Sequence, residues 1–342
     1  MEDGKYVQDS VWFYAPNKGA PVFFAVAFLV SGAVHAWQTV HYKCWRLTGL
    51  YVFCPTLFLA GFIVRELGAF DYTDLIKYIV SICLVYAAPP LYELGNYYVL
   101  GRILYFVPYH SPIHPGRVLT TFAAISMVIE ALNGNGAAYI SNQSLPEEKR
   151  NMGKALLQAA LIMQLVVLIL FVTLATYFQL KCRRNGINSP KVNSAMTTLY
   201  ISTSLIGVRT IYRIVEYFDL ANVNFWDPNF DPQLMSPIIR YEWFFYVFEG
   251  TLMLLNSVLL NVRHPRRWLP KSTKVYLAKD GVTEIMGPGY KQERNFFATL
   301  LDPFDIYGMI KGNDKKSRFW DESATGEPKS MSGMASTPDT VV

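Results

Sequence analysis

Charged residues are scarce in this chain. Only 17% of its residues are Asp, Glu, Lys or Arg, whereas 52% are hydrophobic. An ordinary soluble domain carries about 25% charged residues, which cover the surface that it presents to water. The shortage of charge therefore excludes an ordinary soluble globular domain and directs attention to segments that are stable in lipid.

Cysteine and histidine are also rare, with four and five residues. Cys54 and Cys83 fall inside apolar runs, and Cys44 and Cys182 lie beside basic residues at run ends, which is not the pattern of a disulfide framework. No C-x-x-C pair or histidine-rich spacing indicates a metal site, and no phosphate-binding P-loop is present. We therefore expect no cofactor, no metal, and no transport driven by ATP hydrolysed on this chain.

Long apolar runs are what the chain does contain. A helix needs about 20 apolar residues to cross the hydrocarbon core, and the runs lack the alternation typical of lipid-facing strands. The sequence thus predicts an all-α, polytopic membrane protein with a seven-transmembrane helix bundle. The runs are approximately 20–41, 46–66, 77–101, 117–140, 154–180, 195–218 and 240–262.

Basic residues in the connections predict the orientation. Thirteen Lys and Arg residues lie on one side and seven on the other, and the richer side faces the cytosol. We expect an extracellular or lumenal N-terminal tail over 1–19, the transmembrane domain over 20–262, and a cytosolic tail over 263–342 that is partly disordered. The tail from about Lys271 is predicted to be dispensable for the bundle. Asn142, in the sequon Asn142-Gln143-Ser144, would lie outside as a glycosylation candidate.

One apolar run carries three ionisable groups. Arg209, Arg213 and Glu216 share one helical face with Ser202. A charged residue at the centre of a span costs about 2.5–3.5 kcal/mol, against about 0.3–0.6 kcal/mol gained per strongly apolar residue. These side chains must therefore face the bundle interior or water, or lie near enough to the outer interface to reach it.

Other runs carry polar residues that could face the same interior. Two interpretations stay open: buried pairs that only hold helices together, and groups that line a substrate path. In the second, Glu242 or Glu249 is the nearest counter-charge of the arginine face, at the outer end of a lipid head-group site. The candidate substrate-binding residues are His35, Gln38, Glu93, Asn96, Glu130, Arg209, Arg213, Glu216, Glu242, Glu249 and Asn256.

Proline and glycine give two runs a distinctive backbone. Pro89-Pro90 precedes Glu93, and Pro55 lies in the second run; each removes a backbone donor and bends or breaks its helix. The stretch Asn133-Gly134-Asn135-Gly136 permits a close helix approach or local unwinding.

Several of these segments resemble a known family. Tyr14-Ala15-Pro16 precedes the first run, which contains His35-Ala36-Trp37-Gln38. The sixth run reads LIGVRTIYRIVE, and the last opens YEWFFYVFE and closes NVRHP. Together they resemble the fungal lipid-translocating exporter family of RTA-like proteins. The resemblance implies seven helices, a fungal host and movement of sphingoid bases or phospholipids with resistance to toxic amphiphiles; some relatives are linked to tetrapyrrole transport. Ala123 and Glu130 depart from the family's usual Asp and Gln.

Three function classes follow. The leading hypothesis is a non-enzymatic translocator of an amphiphilic lipid or toxic amphiphile, contributing to resistance and placed in the plasma membrane or an endomembrane. The alternative is a seven-helix lipid receptor or sensor that signals through the cytosolic tail. A zinc-dependent intramembrane hydrolase is disfavoured because His35 and His41 point about 120° apart on a helix. Expected partners are membrane lipids and a small amphiphilic substrate, with no nucleic acid; the oligomeric state stays open.

Overall fold

The computed structural model describes residues 4–8, 10–142, 144–221, 235–287, 302, 307 and 329–330. These residues are mostly helical, which confirms the predicted fold class. The first six long helices are α1 (Ala20–His41), α2 (Trp45–Phe70), α3 (Leu75–Phe106), α4 (Pro115–Ser141), α5 (Glu147–Arg184) and α6 (Pro190–Ala221). After the short helix α7 (Pro237–Arg240), the last span comprises α8 (Trp243–Phe245), a π-helical turn (Tyr246–Thr251) and α9 (Leu252–Val262).

Six helical segments of the described chain are long and apolar enough to cross a membrane. They are the first five helices, with α2 counted from Thr48 and α4 to Ile140, and the continuous segment Trp243–Arg267. Helix α6 has 32 residues, which is long enough, but its ionisable residues make it less apolar than the other six. The charges that mark α6 as unusual in the sequence therefore also separate it from the other spans by composition.

Helix α1 shows the inverted polarity expected of a membrane helix. Its exposed residues are apolar and include Phe23, Val26 and Val30, whereas His35 and Gln38 are buried. In water this arrangement would be unfavourable, but in lipid the apolar face is solvated and the polar groups bond to one another. Helix α1 packs along α2 and α9.

The prolines and glycines have different effects on the helices. Helices α2 and α3 continue through Pro55 and Pro89-Pro90, so the proline residues do not break them. The predicted close approach at the glycine stretch is confirmed without unwinding. A Cβ atom at Gly136 would lie 2.9 Å from the Gly153 carbonyl oxygen of α5, closer than an alanine tolerates.

The chain divides into two compact units. One comprises residues 1–96, 125–170 and 200–264, and contains all the candidate substrate-binding residues; the other comprises residues 97–124, 171–199 and 265–342. Helices α3 to α6 each contribute residues to both units.

In the second unit, part of the predicted tail forms a small sheet. Strand β1 (Val275–Leu277) pairs antiparallel with β2 (Glu284–Met286), which pairs with β3 (Lys329–Ser330). The turn is held by Asp280, whose Oδ1 accepts the backbone N–H groups of Val282 and Thr283 at 2.9 Å each. These bonds, with one from the Thr283 hydroxyl, lower the pKa of Asp280.

The sheet is packed against helices of its own unit. Tyr276 is 3% exposed, and its ring contacts Tyr109 at a centroid distance of 6.3 Å. Lys191 pairs with Glu284 at 2.6 Å. Upstream of β1, Arg102 donates to the Pro270 carbonyl at 2.5 Å. The packing of residues 275–286 argues against the expectation that the tail is dispensable from Lys271, which rested on the polar composition of the tail as a whole. Most of the predicted disordered stretch lies outside the described residues.

Truncation tests whether residues 275–286 of the tail are needed for stability. Deletion after Lys271 is expected to lower the free energy of unfolding by about 2–5 kcal/mol, because it removes the buried side chains of Val275, Tyr276 and Leu277. Deletion after Gly287 keeps those contacts and is the matched control, expected to melt near the wild type. The measurement is thermal unfolding in detergent; equal melting temperatures for the two truncations would contradict the packing.

Candidate functional site

A buried ion pair joins α6 to the last span. The Arg209 Nε donates to Glu249 Oε1 at 2.8 Å, with the two side chains 5% and 0% exposed. Of the two counter-charges expected from the sequence, Glu249 is the one that pairs with this arginine face. Desolvating both charges is costly, and their attraction offsets that cost only if their remaining polar atoms are also bonded.

That condition is not met at Glu249. Its Oε2 atom is buried and has no hydrogen-bond partner in the part of the chain that the structure describes. Glu249 lies within the π-helical turn, where Thr251 Oγ1 donates to the Tyr246 carbonyl at 2.9 Å. Single π-helical turns occur often at functional sites because the extra residue redirects side chains. The turn has no signal in the sequence that could have predicted it.

Arg213 is anchored on its own helix and on α3. Its Nη1 donates to Tyr86 Oη at 2.6 Å and to Glu216 Oε2, and its guanidinium lies 3.8 Å from the centre of the Tyr86 ring. Glu216 also accepts from Tyr212 Oη at 3.1 Å. Tyr86 was missed by sequence reasoning, although its position seven residues before Glu93 places both on one face of α3.

Glu242 does not pair with the arginines of α6. Its Oε1 accepts from Arg65 Nη2 at 2.8 Å and from Tyr246 Oη at 2.9 Å. The Arg65 side chain is 2% exposed and its guanidinium also lies 4.1 Å from the centre of the Phe245 ring. Glu242 pairs with Arg65 and not with an arginine of α6, because the packing of α2 brings Arg65 to the start of the last span.

Two further candidates on α3 bond to neighbouring helices. Glu93 Oε1 accepts from Gln164 Nε2 of α5 at 2.8 Å, and Asn96 Nδ2 donates to Ser202 Oγ of α6 at 2.9 Å. All four side chains belong to buried residues. Gln164 is a contributor that the sequence did not single out.

His35 and Gln38 belong to a separate neutral cluster between α1 and α9. His35 Nε2 lies 3.2 Å from the Ser257 carbonyl oxygen, and Gln38 Nε2 donates to the Asn261 carbonyl at 2.8 Å. Ser31 Oγ lies 2.6 Å from Ser257 Oγ. These bonds tie α1 to α9 through uncharged groups, in keeping with the modest cross-links that polar residues provide in bilayers.

Asn256 and Glu130 differ from the other candidates. Asn256 is fully buried, and within the described ranges neither its Nδ2 nor its Oδ1 has a hydrogen-bond partner. Glu130 was expected in the interior but is exposed, because α4 buries the smallest share of its residues among the candidate spans. It bonds to Asn133 and is within reach of the Coulombic attraction of Arg209.

The polar candidates of α3, α6 and the last span lie within one unit. Asn256 follows Glu249 by seven residues, and Ser202 precedes Arg209, the ion-pair partner of Glu249, by seven. Because the two helices are antiparallel, Asn256 and Ser202 lie at similar depth. We call this set the polar lane. Its members are Tyr86, Glu93, Asn96, Ser202, Arg209, Arg213, Glu216, Glu249 and Asn256.

The glycosylation candidate lies apart from the lane. Asn142 is exposed just after α4, and its Oδ1 accepts from Ser144 N at 3.1 Å and Ser144 Oγ at 2.6 Å. Gln143, the middle residue of the sequon, lies outside the described residues. Use of this site stays a prediction.

The family profile described as RTA1 like protein matches residues 51–272, which is more than half of the chain and includes the whole polar lane. The chain belongs to the RTA1-like family. It is 38% identical over 317 residues to the lipid-translocating exporter-like protein RTA1 of Leptosphaeria maculans, covering 90% of this chain and 60% of that relative. This chain thus spans less than two thirds of that relative's length.

Two more distant relatives have names that also describe membrane transport. The probable lipid transporter atnI of Emericella nidulans is 23% identical, over 76% of this chain and 68% of its own. Protoporphyrin uptake protein 1 of Saccharomyces cerevisiae is 24% identical, over 74% of this chain and 91% of its own. These names describe transporter-like proteins rather than enzymes. No solved structure matches the chain.

Proposed function

We propose that this protein translocates an amphiphilic lipid across its membrane, with the head group moving along the polar lane and the tails remaining in lipid. The observation that carries the proposal is the buried Arg209–Glu249 pair, together with Glu249 Oε2 and the Asn256 amide, which have no hydrogen-bond partner among the described residues. A buried unsatisfied polar group costs about 1–3 kcal/mol. A head group bonded to these atoms would recover that cost.

The charges of the lane favour a zwitterionic or cationic head group. A zwitterion supplies an anion for Arg209 and a cation for Glu249, so it can insert into the pair without leaving a buried charge unpaired. Arg209 and Arg213 also share the lane with Glu93, Glu216 and Glu249, so acidic residues outnumber basic ones. This excess of carboxylates would repel an anionic head group.

The names of the relatives support the same role. Two are named for lipid transport and one for protoporphyrin uptake, and all of these cargoes combine polar groups with a large apolar part. By the same reasoning we propose that the protein contributes to resistance against toxic amphiphiles such as sphingoid bases, and that it acts in the plasma membrane.

Flux measured with the purified protein tests this function. Liposomes containing only this protein are loaded with fluorescent lipids that carry zwitterionic, cationic or anionic head groups, and loss from one leaflet is followed. We expect sustained movement of the first two classes and little movement of the third. Binding without sustained flux would refute translocation and support the receptor hypothesis.

A further inference from the structure

The N-terminal tail predicted over 1–19 contains a segment that is folded onto the helices. We call residues 10–19 the strap. Trp12 is 5% exposed, and its ring meets Tyr78 edge-on at a centroid distance of 5.2 Å. It also lies against Gly68, where an added Cβ atom would come within 2.4 Å of the indole. Val11 N donates to the Tyr72 carbonyl at 3.1 Å. A tryptophan buried in this way fixes the segment on the ends of α2 and α3.

The buried Arg65–Glu242 ion pair between α2 and the last span, which we call the latch, holds the strap in place. Glu242 accepts from Arg65 through Oε1 and from the backbone N–H of Asn17 through Oε2 at 2.7 Å. The same Arg65 Nη2 donates to Tyr14 Oη at 3.1 Å. Both members of the pair therefore hold the strap as well as each other. The use of Glu242 in this latch explains why it is not the counter-charge of Arg213.

The strap docks near the first charges of the polar lane, on the start of α3 and of the last span. Tyr78, which supports Trp12, is within electrostatic range of Arg213 and Glu216 as well as Arg65. Tyr246, whose hydroxyl bonds to both Arg65 and Glu242, lies three positions before Glu249 in the π-helical turn. Tyr78 therefore neighbours both the docked strap and the first charges of the lane.

The backbone of the strap has a positive φ angle at its centre and another at its base. Phe13 has a φ of 73°, a conformation that L-residues with large side chains rarely adopt. Such residues cost about 1–3 kcal/mol and cluster at switch regions. Gly19, just before α1, has a φ of 116° and nothing near its Cβ position. Gly19 is the permissive residue about which the strap would turn on undocking, with loss of the 3.2 Å hydrogen bond from its N–H to Glu66 Oε2.

We propose that the strap is a gate over the outer end of the polar lane and that it must leave the Arg65–Glu242 latch before a head group can enter. This regulation rests on the proposed function, since it concerns access to the same lane. The contacts of the strap come from α2, α3 and the last span, so its release uncovers the lane without unfolding a helix.

A reversible cross-link tests the need for movement. Val11→Cys and Tyr72→Cys are introduced together in a Cys83→Ala background, because Cys83 is the exposed native cysteine and the hydrogen bond from the Val11 N–H to the Tyr72 carbonyl makes the two residues neighbours. Oxidation is expected to lower lipid flux at least about tenfold, and reduction should restore it. The single-cysteine variants, treated in the same way, are the controls. Full flux in the oxidised double variant would overturn the gate and leave translocation standing.

A second measurement is independent of transport. Ser202→Cys places a thiol in the lane, and its reaction with an impermeant thiol reagent added outside is timed with Tyr14 intact and with Tyr14→Phe. The phenylalanine removes the hydrogen bond to Arg65 and keeps the ring, so the labelling rate is expected to rise at least about tenfold, the effect of losing one hydrogen bond to a charged group. An unchanged labelling rate would overturn the gate whether or not lipid flux is observed, whereas faster labelling without any flux would support the gate and refute translocation.

Discussion

Replacing Arg65 by Met is expected to destabilise the protein by about 3–5 kcal/mol, because it leaves Glu242 buried with no cation. The Arg65 and Glu242 side chains are only 2% and 7% exposed, so water cannot replace the lost partner. The measurement is the melting temperature in detergent, combined with the yield of monodisperse protein.

The same end of the molecule offers a matched control. Lys77 pairs with Asp71 and Asp74 at 2.9 and 3.2 Å, but these side chains are 30–51% exposed. Exposed pairs contribute about 0–1 kcal/mol, so Lys77→Met should melt close to the wild type. Equal melting temperatures for Arg65→Met and Lys77→Met would show that the Arg65–Glu242 pair does not stabilise this end of the bundle.

Reversing the Arg209–Glu249 pair is expected to lower lipid flux about 30-fold or more while the protein stays folded. The double variant Arg209→Glu, Glu249→Arg keeps one charge of each sign in contact, so the fold retains its ion pair. A bound zwitterion would instead meet like charges, and mismatched buried charges cost about 2–5 kcal/mol. The measurements are flux in liposomes and thermal stability of the same preparation.

The control is a reversal in the other unit. Lys191→Glu, Glu284→Lys exchanges a pair whose side chains are 54% and 30% exposed, and it should leave both flux and stability near wild type. If the reversed Arg209–Glu249 variant is stable and transports at the wild-type rate, the pair only holds helices together. The single variants Arg209→Gln and Glu249→Gln, each leaving a buried charge unpaired, should melt lower than the double variant.

Much of the site could be predicted from helical spacing. Steps of seven placed Ser202 with Arg209, and Glu242 with Glu249 and Asn256, on shared faces, and the cost of charge in lipid required those faces to be buried. Arg209, Glu249 and Asn256 lie where that argument expects them. Glu130 is exposed instead of buried. The cost of charge in lipid predicts that a charged residue avoids lipid, but it does not predict whether that residue packs in the interior or lies on an exposed face.

The choice of partners could not be predicted in the same way. Two arginines on α6 and two glutamates on the last span allow several pairings by depth alone. The structure selects Arg209 with Glu249 and assigns Glu242 to Arg65, because the rotation and contact of α2 and the last span set which side chains meet. The contacts of Tyr86 and Gln164 also became visible only in the tertiary structure, since neither residue type indicates a buried contact by itself.

The sequence by itself determined the all-α membrane fold, the identity of the long helices and the faces that carry polar groups. Hydrophobic length and the 3.6-residue repeat are local properties, and the cost of charge in lipid applies to each helix separately. Only the tertiary structure decided the ion-pair partners, the π-helical turn at Glu249, the strap over residues 10–19 and the buried strand at Val275. Each of these depends on contacts between residues far apart in the chain, for which a local pattern carries no information.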